Sequence, residues 1–395
     1  MLNPVSEVDL TRGGLVGLFE KEFNQAYQEL GRFNLAVFGK TGSGKSTLIN
    51  AVFGHNVAPT GIGKPVTKGL NYYAHTNGFL GIYDSEGFET GTSGDAILAG
   101  LDRLIAQKNT QPMQDRIHAV WYVVRWSDRR FEPAQMNFIK SLKAMGLPVI
   151  IVLSQVPAHR ESGLVTIHPD ALEFARYIES LDLKTDVEGK VYLTNALFDA
   201  FTDSIVFGLI ELVEATNLVI PDAVTNALTA AQQVDVHRKK DAAAAVVKQA
   251  AIMASGIGAV PIPVADAALL VPNQIAMIAR VTAIYGLPHS RARALSLAGA
   301  AILTGGATQA GRYAVTQLLR VVPGGQIAGS AISATVAAAL TRAMGIAWIR
   351  VCEYALTLSP NEQTQFLQEN VKDKFLEYLS RPRSNEIQDN DRAHE

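Results

Sequence analysis

The segment "GKTGSGKST" (39–47) has the residue types and spacing that hold a polyphosphate. Its glycines let backbone N–H groups wrap the phosphate oxygens, Lys45 reaches the terminal phosphates, and Ser46 offers a hydroxyl to Mg²⁺. The candidate phosphate-binding residues are therefore Gly39, Lys40, Thr41, Gly42, Ser43, Gly44, Lys45, Ser46 and Thr47. A second metal element follows in "GIYDSEG", where Asp84 closes an apolar run and Gly87 comes three residues later. Asp84 would hold Mg²⁺ through water, and the Gly87 N–H would sense a γ-phosphate. Between them, "PVTKG" offers Thr67 as a switch residue, with Thr60 as runner-up. Its hydroxyl would meet the metal and its N–H the γ-phosphate, so that only a triphosphate orders the loop. Lys45, Thr67 and Gly87 are the candidate catalytic residues; Ser46, Thr67 and Asp84 are the candidate metal ligands.

Such a site needs strands and helices around it. "FNLAVFG" (33–39) reads as a buried strand feeding the loop, and "KSTLINAVFG" as the helix after it. Further strands are expected at 78–84, 117–124, 147–153 and 190–194, with helices at 5–30, 95–107, 133–145 and 170–181. Strands alternating with helices predict an α/β domain with a parallel-type central sheet. After about residue 200 the strand signals stop, and helices are expected at 223–256, 264–285, 290–303, 307–320, 325–358 and 361–380. The organisation expected is an N-terminal helix (1–30), a P-loop domain (31–217), an all-α helical domain (218–380) and a disordered polar tail (381–395).

Composition agrees with a folded two-domain chain: 395 residues, 48% hydrophobic and 18% charged. The first 200 residues hold 19 Lys and Arg against 21 Asp and Glu, so no nucleic-acid footprint is expected. The single cysteine, Cys352, excludes an intramolecular disulfide and fits a reducing compartment. The start has early acids and no continuous apolar core, which does not read as a secretory signal. The eight histidines show no zinc-binding spacing, and Trp121, Tyr122 and Trp126 read as core rather than base-stacking groups.

"AVFGKTGSGKSTLINAVFG", "GKPVTKG", "YDSEGFE" and "HAVWYVV" together resemble the Era-like and septin-like bacterial GTPases and, in the P-loop, the immunity-related GTPases. The resemblance covers about residues 30 to 200 and implies GTP and GDP as ligands, Mg²⁺ as cofactor, and hydrolysis of GTP to GDP. The later stretch "AAIMASGIGAVPIPVADAALLVPNQIAMIARVTAIYGLP" looks like a domain of unknown function that follows such GTPases in bacteria. Several members of that group act at membranes, which is what the resemblance implies for this chain.

Two positions depart from the pattern. Where the family carries [NT]KxD, this sequence has Ser154, Gln155, Val156 and Pro157. Gln155 can lay its stem along a base, but Pro157 cannot replace the carboxylate that pairs with guanine. A lost charge-assisted pair costs roughly 2–4 kcal/mol. Glu161 or backbone carbonyls are the stand-ins, and Thr194, Asn195 and Ala196 form the second base-binding loop. Phe88 stands where many small GTPases place a water-orienting Gln, so slow or assembly-stimulated turnover is expected. Glu86, Glu89 or Thr67 could position the water instead, or a group supplied across a homodimer of the GTPase domain. A relaxed-specificity NTPase or ATPase, and a pseudo-GTPase scaffold at a membrane, are the competing readings.

The second half adds a charge asymmetry. Residues 242–352 hold eight basic residues and one acid, Asp266, among long uncharged runs. Apolar helices with this bias favour anionic lipid surfaces; a soluble bundle is the alternative. The expected location is cytoplasmic, peripheral at the inner face of the membrane.

Overall fold

The computed structural model describes residues 12–54, 64–67, 70–75, 78–85, 92–257, 265–287 and 334–380. The chain divides into two compact units, Leu30–Val236 and, as the other, Met1–Glu29 with His237–Glu395.

The first unit is built on one seven-stranded sheet. Its strands are β1 (Phe33–Phe38), β2 (Lys64–Thr67), β3 (Leu70–Ala74), β4 (Leu80–Ser85), β5 (Ala119–Arg125), β6 (Val149–Ser154) and β9 (Val191–Leu193), in the order β2-β3-β4-β1-β5-β6-β9. β4, β1, β5, β6 and β9 run parallel, while β3 is antiparallel to β4 and β2 to β3. The five strands expected from apolar runs are all present. β1 and β6 are buried at every position, as parallel strands covered on both faces must be. Asn34 is the polar exception in β1, and its amide N–H₂ donates to the Gln114 and Arg116 carbonyls at 2.9 and 2.7 Å.

The helices of this unit are α2 (Lys45–Phe53), α3 (Thr92–Asn109), α4 (Pro133–Ala144), α5 (Pro169–Ser180), α6 (Leu209–Val219) and α7 (Asp222–Ala231). α4 opens with a Glu132–Gln135 capping box and a proline in its first turn, and α5 likewise starts on a proline. A β-hairpin unanticipated from the sequence, β7 (Ala158–Glu161) and β8 (Leu164–Ile167), follows directly on "VLSQVP". Ser162 and Gly163 link it with φ of 50° and 86°, the positive pair that a two-residue hairpin turn demands.

The second unit contains α1 (Arg12–Leu30), α8 (Val236–Ile257), α9 (Ala265–Ile284), α10 (Ala334–Leu356), α11 (Pro360–Glu369) and α12 (Val371–Ser380). Trp348 of α10 is fully buried, and its indole N–H donates to Thr282 of α9 at 2.9 Å. Gly345 admits Val247 of α8, because a Cβ there would meet its methyls at 2.5 and 2.6 Å. α10 is long and apolar enough to cross a membrane by length and composition, yet 56% of that window is buried inside the fold. A core helix passes the same test.

Two expected helices are divided. The stretch 223–256 breaks after Ala231, where the Gln232 amide takes over the turn: its Oε1 accepts from the Asp235 N–H at 2.7 Å and its Nε2 donates to the Asp235 carbonyl at 2.9 Å. The stretch 361–380 breaks at Asn370, the C-cap of α11. The helices expected at 290–303 and 307–320, and the tail 381–395, lie outside the described residues.

Candidate nucleotide-binding site

β1 delivers the chain to the loop Gly39–Gly44, and α2 begins at Lys45. Gly39 runs so close beneath β5 that a Cβ would collide with the Val123 carbonyl. Gly44, the N-cap of α2, has φ 86°, a left-handed backbone that glycine takes without strain. The loop closes on itself through Ser43 N–H to Lys40 O at 3.1 Å, and α2 starts with Leu48 N–H to Gly44 O at 2.9 Å. The loop thus sits on a helix N-terminus, where backbone dipoles favour an anion.

Lys45 is buried and folds back over this loop, donating to Gly39 O at 2.9 Å and Lys40 O at 3.2 Å. Burial pushes its ammonium below the ordinary lysine range, against the opposing pull of Asp84. Asp84 lies near the end of β4, and burial raises its carboxyl to about 6, while Lys45 and the Ser85 N–H pull it down. Its Oδ1 is buried with no hydrogen-bond partner among the described residues. An uncompensated carboxylate oxygen of this kind is costly unless a cation meets it. Ser46 and Thr47 are exposed on the first turn of α2, and Thr41 is exposed on the loop. Lys40 turns away to pair with Glu132 at 2.9 Å, which ties the loop to the start of α4.

The base end is built from the ends of β6 and β9. Ser154 Oγ donates to Ser43 O at 2.6 Å and lies 3.1 Å from Val124 O. Gln155, in a left-handed backbone at φ 57°, donates its Nε2 to Gly42 O at 2.9 Å. Both side chains are therefore struts under the phosphate loop. Val156 N–H binds Thr194 O at 3.1 Å, which brings residues 194–196 alongside. Thr194 is fully buried, and Asn195 spends its Nδ2 on the Leu197 and Ile205 carbonyls at 2.8 and 2.9 Å.

Residues 34–155 match the family described as 50S ribosome-binding GTPase, and residues 224–377 match a domain of unknown function (DUF697). The first of these matched stretches is a P-loop GTPase domain. No curated protein matches the chain. Similar solved structures include a probable GTP-binding protein engB (16% identity, 47% of this chain and 97% of that one, TM-score 0.32). Another is Toc33 from Arabidopsis thaliana (15% identity, 54% and 91%, TM-score 0.33). A third is Aquifex aeolicus Era bound to GDP.AlF4- (17% identity, 56% and 67%, TM-score 0.31).

Within the GTPase domain, Gly39–Thr47, Asp84 and Gln155 gather at the carboxyl ends of the central strands, with Thr194–Ala196 beside them. Thr67 is placed differently. It ends β2 and pairs with Leu70, whereas Leu70 pairs with Ser85 of β4. Two inter-strand spacings put its backbone about 10 Å from the β4 line, so meeting a metal on Asp84 would require this edge to move. Gly87, with Glu86, Phe88 and Glu89, and Thr60 lie outside the described residues. The strut role of Ser154 and the Lys40–Glu132 tie were missed in the sequence; a small hydroxyl at the first position of the base motif is the signal that could have pointed to the former.

Proposed function

We propose that this chain is a Mg²⁺-dependent nucleotide switch that hydrolyses GTP to GDP, slowly alone or when stimulated by assembly. The observation that carries the reading is the buried Oδ1 of Asp84, which has no hydrogen-bond partner among the described residues, on a carboxylate whose charge interacts with that of Lys45. Among the described residues no cluster of three His, Cys, Asp or Glu exists. Asp84, directly or through water, and Ser46 are the residues that would hold a magnesium ion, whose preference for oxygen ligands and retained hydration suits a site of few protein ligands. Bound Mg²⁺ would neutralise charge that develops on the phosphates.

Lys45 supplies the fixed cation. It donates to the Gly39 and Lys40 carbonyls, which places its ammonium at the loop where phosphate oxygens would be held. Thr67 and Gly87 are the switch and γ-phosphate contacts of this reading, and movement of the β2–β3 edge is the event that couples them to the triphosphate. Gln155, Thr194, Asn195 and Ala196 bound the base. The finer assignment is to the Era-like and septin-like group, with a homodimer through the GTPase domain as the arrangement that could supply a missing water-positioning group.

The helical domain is the effector in this reading. Its basic bias and the exposed Ile252 and Met253 on α8 favour peripheral contact with anionic lipid at the cytoplasmic face. A phosphate-release assay with GTP and Mg²⁺ tests the enzyme. Turnover that survives in Lys45→Ala would overturn it. Flotation with anionic liposomes, with and without GTP, tests the coupling; identical binding in both states would sink the switch.

A further inference from the structure

The hairpin β7–β8 leaves one of its two edges bare, and its pairing phase fixes which backbone groups point outward. Ala158 faces Ile167, His159 faces Thr166, Arg160 faces Val165 and Glu161 faces Leu164. One step before Ala158, the Pro157 carbonyl accepts the His168 N–H at 3.0 Å, so that pair is bonded across the hairpin. Antiparallel pairs alternate between bonded and non-bonded. Counting from Pro157, Thr166 and Leu164 bond inward to β7, whereas the N–H and C=O groups of Val165 and Ile167 point away from it. The opposite edge agrees with this phase: the Ala158 carbonyl points outward and accepts the Ile205 N–H at 2.9 Å.

The two edges differ in kind. β7 is closed by Ile205 at Ala158 and carries Arg160 and Glu161, charges that keep an edge from pairing. β8 reads Leu-Val-Thr-Ile, without charge, proline or glycine, and its β-branched residues suit a strand. Among the described residues, no hydrogen bond reaches the outward groups of Val165 and Ile167. Leu164 is 75% exposed and Val165 41%. A bare, uncharged, apolar edge is a template for another strand.

This edge is also complementary to itself. When two copies of β8 run antiparallel about a twofold axis at Thr166, Val165 lies opposite the second copy's Ile167, and Ile167 opposite its Val165. Both pairs are of the outward, bonded kind, so every outward N–H and C=O on the two strands finds a partner at once. Thr166 meets the second copy's Thr166 on the axis as a non-bonded pair, with Cα atoms about 4.5 Å apart, and threonine pairs are favourable there. The resulting sheet, β7-β8-β8-β7, ends on edges closed at Ala158, so growth stops at two copies.

We propose that the β8 edge is where a second copy of this chain adds, by antiparallel pairing of β8 with β8. It rests on the homodimer reading given above and is independent of nucleotide binding. Two four-residue strands bury far less than the ~1,000 Å² of a stable interface, so the pair is transient, with a dissociation constant of roughly 100 µM.

Disulfide trapping of the full chain without nucleotide tests this. Cys352 is buried, so a cysteine placed on β8 is read alone. Thr166→Cys should give a linked dimer under mild oxidation at protein concentrations near the dissociation constant, because the Cα separation on the axis is one a disulfide spans. Val165→Cys should link about tenfold less, since its two copies are offset by two residues along the strands, beyond that span. In sedimentation, the parent's mass should rise with concentration from one chain toward two. Val165→Pro, which removes an outward N–H and keeps every bond within the hairpin, should weaken that association by about tenfold or more. Absence of a linked dimer from Thr166→Cys, or equal linking by both cysteines, would overturn the proposal and leave the nucleotide reading standing, because no nucleotide is present. A parent dimer unchanged in folded Val165→Pro would also overturn it, by placing the contact on another surface.

Discussion

The two ends of the nucleotide site are built to different standards. At the phosphate end, Asp84 is partly buried and its Oδ1 has no hydrogen-bond partner among the described residues, while Lys45 is buried over backbone carbonyls. At the base end the side chains are satisfied by the protein itself, Ser154 and Gln155 by loop carbonyls and Asn195 by its own turn. An uncompensated polar group beside a glycine-rich loop is a candidate ligand contact, whereas groups already paired hold the scaffold's shape. In the proposed reading the ligand contacts fall mainly at the phosphate end, and the base end mainly supports it.

The largest way to break this contrast is Lys45→Ala. Removing a buried cation from opposite a polyphosphate should weaken GDP binding by a hundredfold or more, about 3 kcal/mol, measured by calorimetry. If the loss is no greater than for the base-end struts, the two ends are not different in kind.

Asp84 gives a signed prediction for the nucleotide-free protein. Its carboxyl is raised from the ordinary 3.8 to about 6, so the folded state binds the proton more tightly than the unfolded chain. Stability from this group is full below about pH 4, falls as pH rises through the interval to about 6, and is lost above it. Asp84→Asn should therefore raise the stability of the metal-free protein at pH 7 by about 1–3 kcal/mol, seen as a higher urea midpoint, and flatten its pH dependence between 4 and 6. A variant less stable than the parent at pH 7 would mean that Oδ1 has a partner after all.

The struts should matter less. Ser154→Ala removes a buried hydroxyl and leaves the Ser43 carbonyl short of a donor, which should cost about 1–2 kcal/mol of stability. Its effect on GDP affinity should stay within about tenfold. Smallest of all is Glu132→Gln. The Lys40–Glu132 pair is roughly a third exposed on both sides, and such pairs contribute about 0–1 kcal/mol. A Glu132→Gln defect as large as that of Lys45→Ala would show that the loop tie, not the phosphate contact, governs binding.

Much of this was legible in the sequence, for identifiable reasons. "FNLAVF" and "VIIVLS" are continuous apolar runs because parallel strands are buried on both faces, so their limits fell within a residue or two. The phosphate loop carried its own glycine spacing. "AHRESGLVTI" hid a hairpin because it mixes charge with only short β-branched runs, although its Ser-Gly pair is a turn signal. The break at Gln232–Asp235 carries neither glycine nor proline, since a side-chain amide makes that turn. The burial of the Asp84 Oδ1 was beyond the sequence as well, because it depends on tertiary packing around the end of β4 rather than on any neighbour in the chain.

The most direct test is the magnesium dependence of GTP binding in the parent chain and in Asp84→Asn. The account predicts that Mg²⁺ tightens GTP by about tenfold or more in the parent and leaves the variant unchanged. An equal response to Mg²⁺ in both proteins would contradict it, because the metal would then be held without the Asp84 carboxylate, whose Oδ1 has no partner among the described residues.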